Sequence, residues 1–481
     1  MRGLLLLQVL RTVCEGKDVS TAHRAVAPQP GGRHNQSLRF DVSVSWCGVK
    51  QKAILKSSDG VGNDEGQCRR GGVGCRIVFR CGGMKAMTLS AVCLSSMFRM
   101  IFLSVLFWAM AMSRHGMAAD AEVSPVRAAG GMASEFRNQI FPPAATPLEL
   151  PLKGPAPEDK SIIRRAEQLF AGNPALALLL IEKGRIVYEN YRSPATQSRP
   201  LFSWSMSKSI VAYTLGQMIC HGQSVDLDRP AASISSDLNG SVHGEATLRQ
   251  LLMMSSGAPD ALHSGDHVAA TPDCQQGVNC DGWQMMRAQR LTGLEYLRQF
   301  TARGKSPGGE ALQSGSWFSY SGLDTLALAN VADAMGGFLP AFEKHIWSRI
   351  GAEGKGYWLI DRDNRAIAQA GLSATGRDWA RLAMYSLRLL SADDPCTKSF
   401  MQAATSVQIL NRSKRVGAHF PGYGYQTWIL NPRGRISYWW VGFGGQRVGI
   451  DPVSEKIIVL SSYRESYMAD VYRLFEDWQR Q

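Results

Sequence analysis

The sequence predicts an α+β fold, an α/β sandwich in which terminal helices flank an antiparallel five-stranded sheet and a mainly helical subdomain is inserted. Two observations support this prediction. Strand patterns occur at both ends of the region 159–481, while the part between them, about 222–400, is mainly helical. The strands and helices do not alternate as βαβ units, which argues against a doubly wound parallel sheet.

The N-terminal end of this region predicts a helix followed by a hairpin. From about Asp159, apolar residues recur at helical spacing, namely Ile162, Ile163, Ala166, Leu169 and Phe170. The turn Lys183-Gly184 then separates an apolar strand, 176–181, from an alternating one, 185–191. We expect both strands to join the C-terminal strands in one sheet.

The C-terminal end supplies three or four further strands and a second helix. Strand patterns occupy residues 425–430, 436–441, 448–451 and 457–461. The last helix carries apolar side chains at helical spacing, namely Val471, Leu474, Phe475 and Trp478. We expect the two terminal helices on one face of the sheet and the inserted subdomain on the other.

The first 121 residues differ from the rest in charge, cysteine content and pattern. Residues 1–96 hold 14 Lys and Arg against 6 Asp and Glu, a net charge of +8 out of +13, and six of the ten cysteines. Residues 97–121 combine a positive start, a short apolar run and small residues, which is typical of a secretory signal peptide. We therefore expect residues 1–96 to be upstream sequence that precedes the true start, or a disordered segment. The candidate starts are Met84, Met87, Met97 and Met100.

An alternative interpretation is a cysteine-rich N-terminal module with an internal anchor helix. If residues 97–121 are a signal peptide, the protein is periplasmic or secreted. No run reaches the roughly 18 apolar residues of a membrane span, so no stable membrane span is expected. The positive charge is concentrated in residues 1–96, so it gives no support for a nucleic-acid partner of the remainder. Residues 122–158 are rich in Ala and Pro and predict a linker or extended arm.

The stretch Ser205-Met206-Ser207-Lys208 begins an apolar helix that ends near His221. Residues three apart share a helix face, so the lysine ammonium can reach the serine hydroxyl. Serine is a weak nucleophile until a base takes its proton, and lysine is such a base only when its pKa falls from about 10.4 towards neutrality. Taken alone, the tetrad favours an ordinary serine at a helix start and a solvated lysine, because chance matches to S-x-x-K are common.

Four other segments match a known family together with this tetrad: 183–191, 225–230, 251–257 and 371–381. In this order they resemble the serine β-lactamase and penicillin-binding-protein superfamily, whose S-x-x-K motif supplies the nucleophile and the lysine. The resemblance is strongest to its class C β-lactamase-like esterase branch, which includes the nylon-oligomer (6-aminohexanoate dimer) hydrolases. It covers about residues 160–480. It implies a β-lactamase/transpeptidase-like fold and a serine hydrolase that needs no cofactor.

The resemblance also implies further site residues. The family's Tyr-x-Asn motif is similar to Tyr320-Ser321-Gly322, so Tyr320 is expected to relay a proton together with Lys208. Gly322 departs from the Asn of the motif, which removes a side chain that could hold a substrate carbonyl. The third motif, Lys-Thr-Gly or His-x-Gly, is similar to 442–446. The backbone N–H of Gln446, or of Gly445, is expected to form an oxyanion hole with that of Ser205.

Phe443 stands where a lactamase has a lysine that pairs with the substrate carboxylate. Phenylalanine cannot form that pair, which favours a neutral ester or short amide as substrate. Trp204 and five further aromatic residues could line an apolar pocket or lie in the core. These five are Tyr423, Tyr425, Trp428, Trp439 and Trp440.

Two alternative functions stay open: a β-lactamase or D-alanyl-D-alanine peptidase, and a non-catalytic member that binds cell-wall fragments or a partner protein. The sequence leaves the oligomeric state open. A metal site at His263, Asp266 and His267 is not favoured, because no further ligand pair is evident. Cys274 and Cys280 flank a short polar loop and either form a disulfide there or stay as free thiols.

Overall fold

The computed structural model describes residues 136–154, 156–222, 224–259, 286–306, 309–412, 417–431 and 434–481. The predictions on the upstream segment and the signal peptide lie outside these residues. So do the candidate metal cluster at His263, Asp266 and His267 and the candidate disulfide between Cys274 and Cys280.

The described residues form strands and helices in the order that the sequence patterns predict. The strands are β1 (Asn138–Phe141), β2 (Ala175–Glu182), β3 (Arg185–Tyr191), β4 (Leu201–Phe202), β5 (Gly356–Leu359), β6 (Leu372–Ala374), β7 (Ile409–Leu410), β8 (Gly422–Tyr423), β9 (Trp428–Leu430), β10 (Ser437–Gly442), β11 (Gln446–Asp451) and β12 (Lys456–Ser462). The helices are α1 (Asp159–Gly172), α2 (Ser207–His221), α3 (Val242–Glu245), α4 (Leu248–Leu252), α5 (Gly293–Leu297), α6 (Gly322–Ala334), α7 (Phe338–His345), α8 (Gly376–Leu390), α9 (Pro395–Ala404) and α10 (Met468–Gln479). Single 3₁₀ turns lie at Trp204–Met206, Ala231–Ser233, Ser236–Leu238 and Trp347–Arg349.

The main sheet is antiparallel throughout, with the strand order β3-β2-β12-β11-β10-β9-β8-β7. The predicted N-terminal hairpin and the predicted C-terminal strands are all present, and the hairpin pairs with the C-terminal strands through β2 and β12. The sheet has eight strands, so the predicted count of five was too low. The edge strands β7 and β8 contain two residues each, which is too short to produce an alternating pattern in the sequence.

The sheet separates two hydrophobic cores, because alternate side chains along a strand point to opposite faces. Leu178, Leu180 and Ile458 pack with the terminal helices α1 and α10. Leu179, Ile181 and Val459 pack on the other face with α2 and α8. The predicted sandwich with both terminal helices on one face is therefore confirmed.

A second, four-stranded sheet has the order β1-β5-β6-β4. Its first strand, Asn138–Phe141, lies within the predicted linker 122–158 and pairs with Gly356–Leu359, so these residues belong to the folded body. Phe141 anchors the strand by packing edge-on against Phe342, with ring centroids 4.9 Å apart. The proline-rich composition of the segment concealed this strand. At its other edge the sheet ends in β4, which leads directly to Ser205.

A disulfide joins Cys220, near the end of α2, to Cys396 in the first turn of α9. The sequence analysis did not predict this bond, because 176 residues separate the two cysteines and no local pattern connects them. Among the described residues, no single helix has the length and hydropathy of a membrane span. In the same described part of the chain, α6 and Phe338–Arg349 have that length and hydropathy only when taken together, and they are bent by 85° relative to each other.

Candidate active site

Ser205 lies in the 3₁₀ turn between β4 and the 15-residue helix α2. Trp204, just before it, has a φ of +47°, a conformation that is rare for residues other than glycine. Neighbours hold this turn in place. The N–H of Ser203 donates to the carbonyl of Leu372 at 2.9 Å, and the hydroxyl of Ser207 donates to the carbonyl of Trp204 at 3.1 Å. Ser205 is thus half-buried at the positive end of a helix dipole.

Lys208 and Ser205 are in contact, as the sequence predicts. The Nζ atom of Lys208 donates to the Oγ atom of Ser205 at 3.1 Å and to the carbonyl oxygen of Gln369 at 2.7 Å. The lysine is only 2% exposed, and this burial lowers its pKa to about 7. Near neutral pH a large fraction of Lys208 is therefore uncharged and able to accept a proton.

Tyr320 lies on the other side of the pair. Its hydroxyl hydrogen-bonds with Ser205, and the Nζ atom of Lys208 lies 5.4 Å from the centre of its ring. Burial raises the pKa of Tyr320 well above its usual value; the bond to Ser205 and the charge of Arg447 oppose this shift. The raised pKa keeps the side chain a neutral phenol near pH 7, with a hydroxyl proton that it can donate.

The predicted third motif forms the turn between β10 and β11. Gly442 ends one strand and Gln446 begins the next, so the motif is a turn between strands and does not lie within a strand. A Cβ atom on Gly442 would lie 2.2 Å from the carbonyl oxygen of Ser203, closer than any real contact. Only glycine allows this turn to approach the residues that precede Ser205.

The two candidate oxyanion donors in this turn have different surroundings. The N–H of Gly445 donates to the carboxylate of Glu465 at 3.3 Å, so it is engaged within the protein. The side chain of Gln446 is buried, accepts from the hydroxyl of Ser461 at 2.8 Å and donates to the carbonyl of Ser462. The side-chain amide of Gln446 is thus used inside the sheet.

Phe443 and Trp204 form an aromatic edge beside Ser205. Their ring centroids lie 5.5 Å apart in an edge-on arrangement, and Phe443 is 50% exposed. The other five candidate pocket aromatics, Tyr423, Tyr425, Trp428, Trp439 and Trp440, are buried and belong to the core. Of these, Trp428 packs behind Tyr320 with ring centroids 5.2 Å apart.

Three residues that contact the candidate site, Gln369, Glu465 and Arg447, could not be assigned from the sequence. Gln369 acts through its backbone carbonyl, which any residue type provides, so no sequence signal marks it. Glu465 follows the last strand of the sheet and is brought to the turn by tertiary structure alone. Arg447 is buried and points inward, a direction that strand alternation alone does not decide. A charged residue directly before the apolar run 448–450 was the available signal.

One group of possible metal ligands occurs in the described part of the chain. Ligand atoms of Cys220, Asp394 and Cys396 lie within 4.8 Å of one another, but the two sulfurs are joined as a disulfide. None of these residues belongs to the candidate active site.

Comparison with known proteins supports the resemblance that the motifs indicate. The sequence model of the family described as Beta-lactamase matches residues 162–476, which is more than half of the chain. The chain is also 25% identical over 300 residues to the 6-aminohexanoate-dimer hydrolase of Paenarthrobacter ureafaciens. That match covers 60% of this chain and 72% of the relative.

Two solved structures are similar in fold. A Bacillus anthracis protein provisionally named a 6-aminohexanoate-dimer hydrolase is 22% identical with a TM-score of 0.58, over 73% of this chain and 92% of that one. EstCE1, a hydrolase with promiscuous acyltransferase activity, is 17% identical with a TM-score of 0.52, over 66% and 98%. The predicted β-lactamase/transpeptidase-like fold is thus confirmed, and the chain belongs to the Beta-lactamase family.

Proposed function

We propose that the protein is a serine hydrolase that cleaves an ester or a short amide through an acyl-enzyme on Ser205. One observation carries this proposal: the buried Nζ atom of Lys208, with a pKa of about 7, lies 3.1 Å from the Oγ atom of Ser205. A lysine with a lowered pKa beside a serine is an activated nucleophile pair. Membership of a family of β-lactamase-fold hydrolases supports the same chemistry.

The first half of the reaction forms the acyl-enzyme. Neutral Lys208 accepts the hydroxyl proton of Ser205 while Oγ bonds to the carbonyl carbon and the carbonyl π electrons move to oxygen. The N–H groups of Ser205 and Gln446 stabilise this oxyanion. As the carbonyl reforms, the bond to the leaving group breaks. Tyr320 donates its proton to the leaving group and regains one from Lys208.

The second half uses water as the nucleophile. Lys208, now neutral, accepts a proton from the water, directly or through Tyr320, as the water oxygen bonds to the acyl carbon. The second oxyanion collapses, the bond to Oγ breaks, and Ser205 regains its proton. The acid product leaves, and no cofactor takes part in either half.

The substrate is proposed to be a small molecule without a carboxylate next to the turn. The aromatic edge of Phe443 and Trp204 offers an apolar surface where a lactamase would offer a cation. A β-lactamase or D-alanyl-D-alanine peptidase activity is therefore the less favoured alternative. A purely binding role is disfavoured too, because a buried lysine beside a half-exposed serine hydroxyl costs stability and gives no benefit to binding alone.

A fluorophosphonate probe tests the proposal directly, with the protein's intact mass as the readout. We expect one adduct on the wild-type protein, none on Ser205→Ala, and normal labelling of Ser209→Ala. Ser209 lies on the same helix and donates to the carbonyl of Gln426, away from the candidate site. Absence of an adduct on folded wild-type protein would contradict the proposal. A panel of p-nitrophenyl esters, short amides and nitrocefin then separates the substrate classes.

We also propose that the protein is exported to the periplasm or secreted, on the basis of the pattern at 97–121. N-terminal sequencing of the natural protein should find a mature form that begins near the small residues at 116–121. A mature protein that begins before residue 97 would contradict this proposal.

A further inference from the structure

Arg447 is a buried cation directly behind the turn between β10 and β11. It is 4% exposed and lies between Gln446 and Val448 in β11. One terminal guanidinium nitrogen donates to the carbonyl of Gly442 at 2.7 Å and to that of Gln446 at 2.8 Å. The guanidinium therefore contacts the first and the last residue of the turn at the same time.

Glu465 completes this arrangement from the other side. Its carboxylate accepts the N–H of Gly445 at 3.3 Å and lies 3.7 Å from the guanidinium of Arg447. Tyr472 contributes a further contact, because the Nε atom of Arg447 donates to its hydroxyl at 2.9 Å. Together the two charged residues contact three of the five residues of the turn.

The turn needs such support because of its composition. Gly444 and Gly445 have φ values of +72° and +91°, and glycine is the residue with the largest backbone freedom. An oxyanion donor is effective only when it is held in place before the reaction, at hydrogen-bond distance from the developing charge. The two N–H bonds of one guanidinium nitrogen lie in a fixed plane, so they orient two acceptors at once, which the freely rotating ammonium of a lysine does less well.

We propose that Arg447, assisted by Glu465, is a positioning residue that holds the turn so that the backbone N–H of Gln446 can stabilise the oxyanion. This inference rests on the proposed hydrolase function. Burying a charge is costly, and an apolar side chain would fill the same space without that cost. The contacts to the turn explain why a cation occupies this position.

The experiment compares four variants of the full chain by the rate at which a fluorophosphonate probe labels Ser205. Phosphonylation also passes through a negatively charged oxygen, so its rate reports on the oxyanion hole. Removal of an oxyanion donor costs about 100- to 1,000-fold, so its misplacement in Arg447→Met should slow labelling by about 10- to 100-fold. Arg447→Lys should be intermediate. Glu465→Ala should be slower than Glu465→Gln, which keeps an acceptor for Gly445.

A second readout separates positioning from general stability. Phenylboronic acid forms a tetrahedral adduct with an active serine, so its affinity should fall in parallel with the labelling rate of the Arg447 variants. Val448→Ala is the matched control, because Val448 lies on the same strand in the core on the side of α2 and α8. This variant should lower the unfolding temperature and leave both the labelling rate and the boronate affinity unchanged.

The outcomes distinguish this inference from the proposed function. Labelling of Arg447→Met or Arg447→Lys at the wild-type rate would overturn the positioning role and leave the hydrolase proposal intact. If Val448→Ala loses labelling rate in the same proportion to its fall in unfolding temperature as the Arg447 variants do, the positioning role would also be overturned. Failure to label folded wild-type protein would overturn both proposals.

Discussion

The Nζ atom of Lys208 lies 3.1 Å from the Oγ atom of Ser205 and 2.7 Å from the carbonyl oxygen of Gln369. Both of these partners are neutral, so they do not offset the loss of hydration that a buried ammonium suffers. The pKa of the lysine falls to about 7 for this reason. The same contact therefore brings the base to the nucleophile and makes its neutral form accessible at physiological pH.

The first prediction concerns the pH dependence of Ser205 labelling. Because Lys208 must be neutral to accept a proton, the rate should rise with pH through about 7 and level off above it. Below the pKa it should fall by about tenfold per pH unit. Lys208→Arg should label very slowly at every pH, since a guanidinium stays protonated. A wild-type rate that is independent of pH between 5 and 9 would exclude Lys208 as the base.

The second prediction concerns the stability of Lys208→Met. A buried lysine with a lowered pKa destabilises the folded state fully below about pH 7, where folding must bury the ammonium or release its proton. This cost decreases as pH rises towards about 10.4, the pKa in the unfolded chain. Thermal unfolding should therefore show Lys208→Met at least as stable as the wild type near pH 6, with a difference that shrinks at higher pH. The prediction would be contradicted if the stability of Lys208→Met minus that of the wild type were smaller at pH 6 than at pH 10.

The third prediction separates the proton relay from aromatic packing. Tyr320→Phe keeps the ring against Trp428 but loses the hydroxyl that bonds to Ser205. Turnover of an ester or amide substrate should fall by about 100-fold or more, the usual contribution of a general acid or base. Tyr423→Phe is the matched control, since its ring is buried in the same cluster and should give near-normal turnover. Equal rates in both variants would remove Tyr320 from the mechanism.

Local patterns predicted the parts of the fold and the site that depend on residues close in sequence. Ser205 and Lys208 are three residues apart on one helix face, so helical spacing alone places them together. The direction of the Arg447 side chain cannot be predicted from local patterns. Alternation along a strand establishes that its side chain leaves one face, but only the tertiary structure decides which face is covered.

Some contacts between distant segments could not be predicted from local patterns, although the pairing of the N-terminal hairpin with the C-terminal strands was. The contact between Gly445 and Glu465 is one example, because only the folded chain brings Glu465 to the turn. The pairing of Asn138–Phe141 with Gly356–Leu359 joins segments more than 200 residues apart, and neither strand has a pattern that identifies its partner. The disulfide between Cys220 and Cys396 is likewise a contact between distant segments that no local pattern indicates.

The fourth prediction concerns this disulfide. A crosslink that closes a long loop restricts the unfolded chain, so its removal in Cys220→Ser with Cys396→Ser should cost about 2–5 kcal/mol of unfolding free energy. Cys220 lies near the far end of α2 from Ser205, and labelling of Ser205 at 20 °C should be nearly unchanged. Denaturant unfolding with and without reductant measures the first effect. A large loss of labelling in the folded double variant would contradict the second.

The fifth prediction concerns the contact between Gly442 and Ser203. Because a Cβ atom at Gly442 would lie 2.2 Å from the carbonyl oxygen of Ser203, Gly442→Ala must push the turn away from the residues that precede Ser205. Labelling should slow by at least about tenfold, since an oxyanion donor contributes only at its correct distance. Gly172→Ala is the control, because a Cβ there meets nothing within 4 Å; it should leave the rate unchanged. Wild-type labelling in Gly442→Ala would mean that the turn can move without consequence, and the oxyanion donor would then have to lie elsewhere.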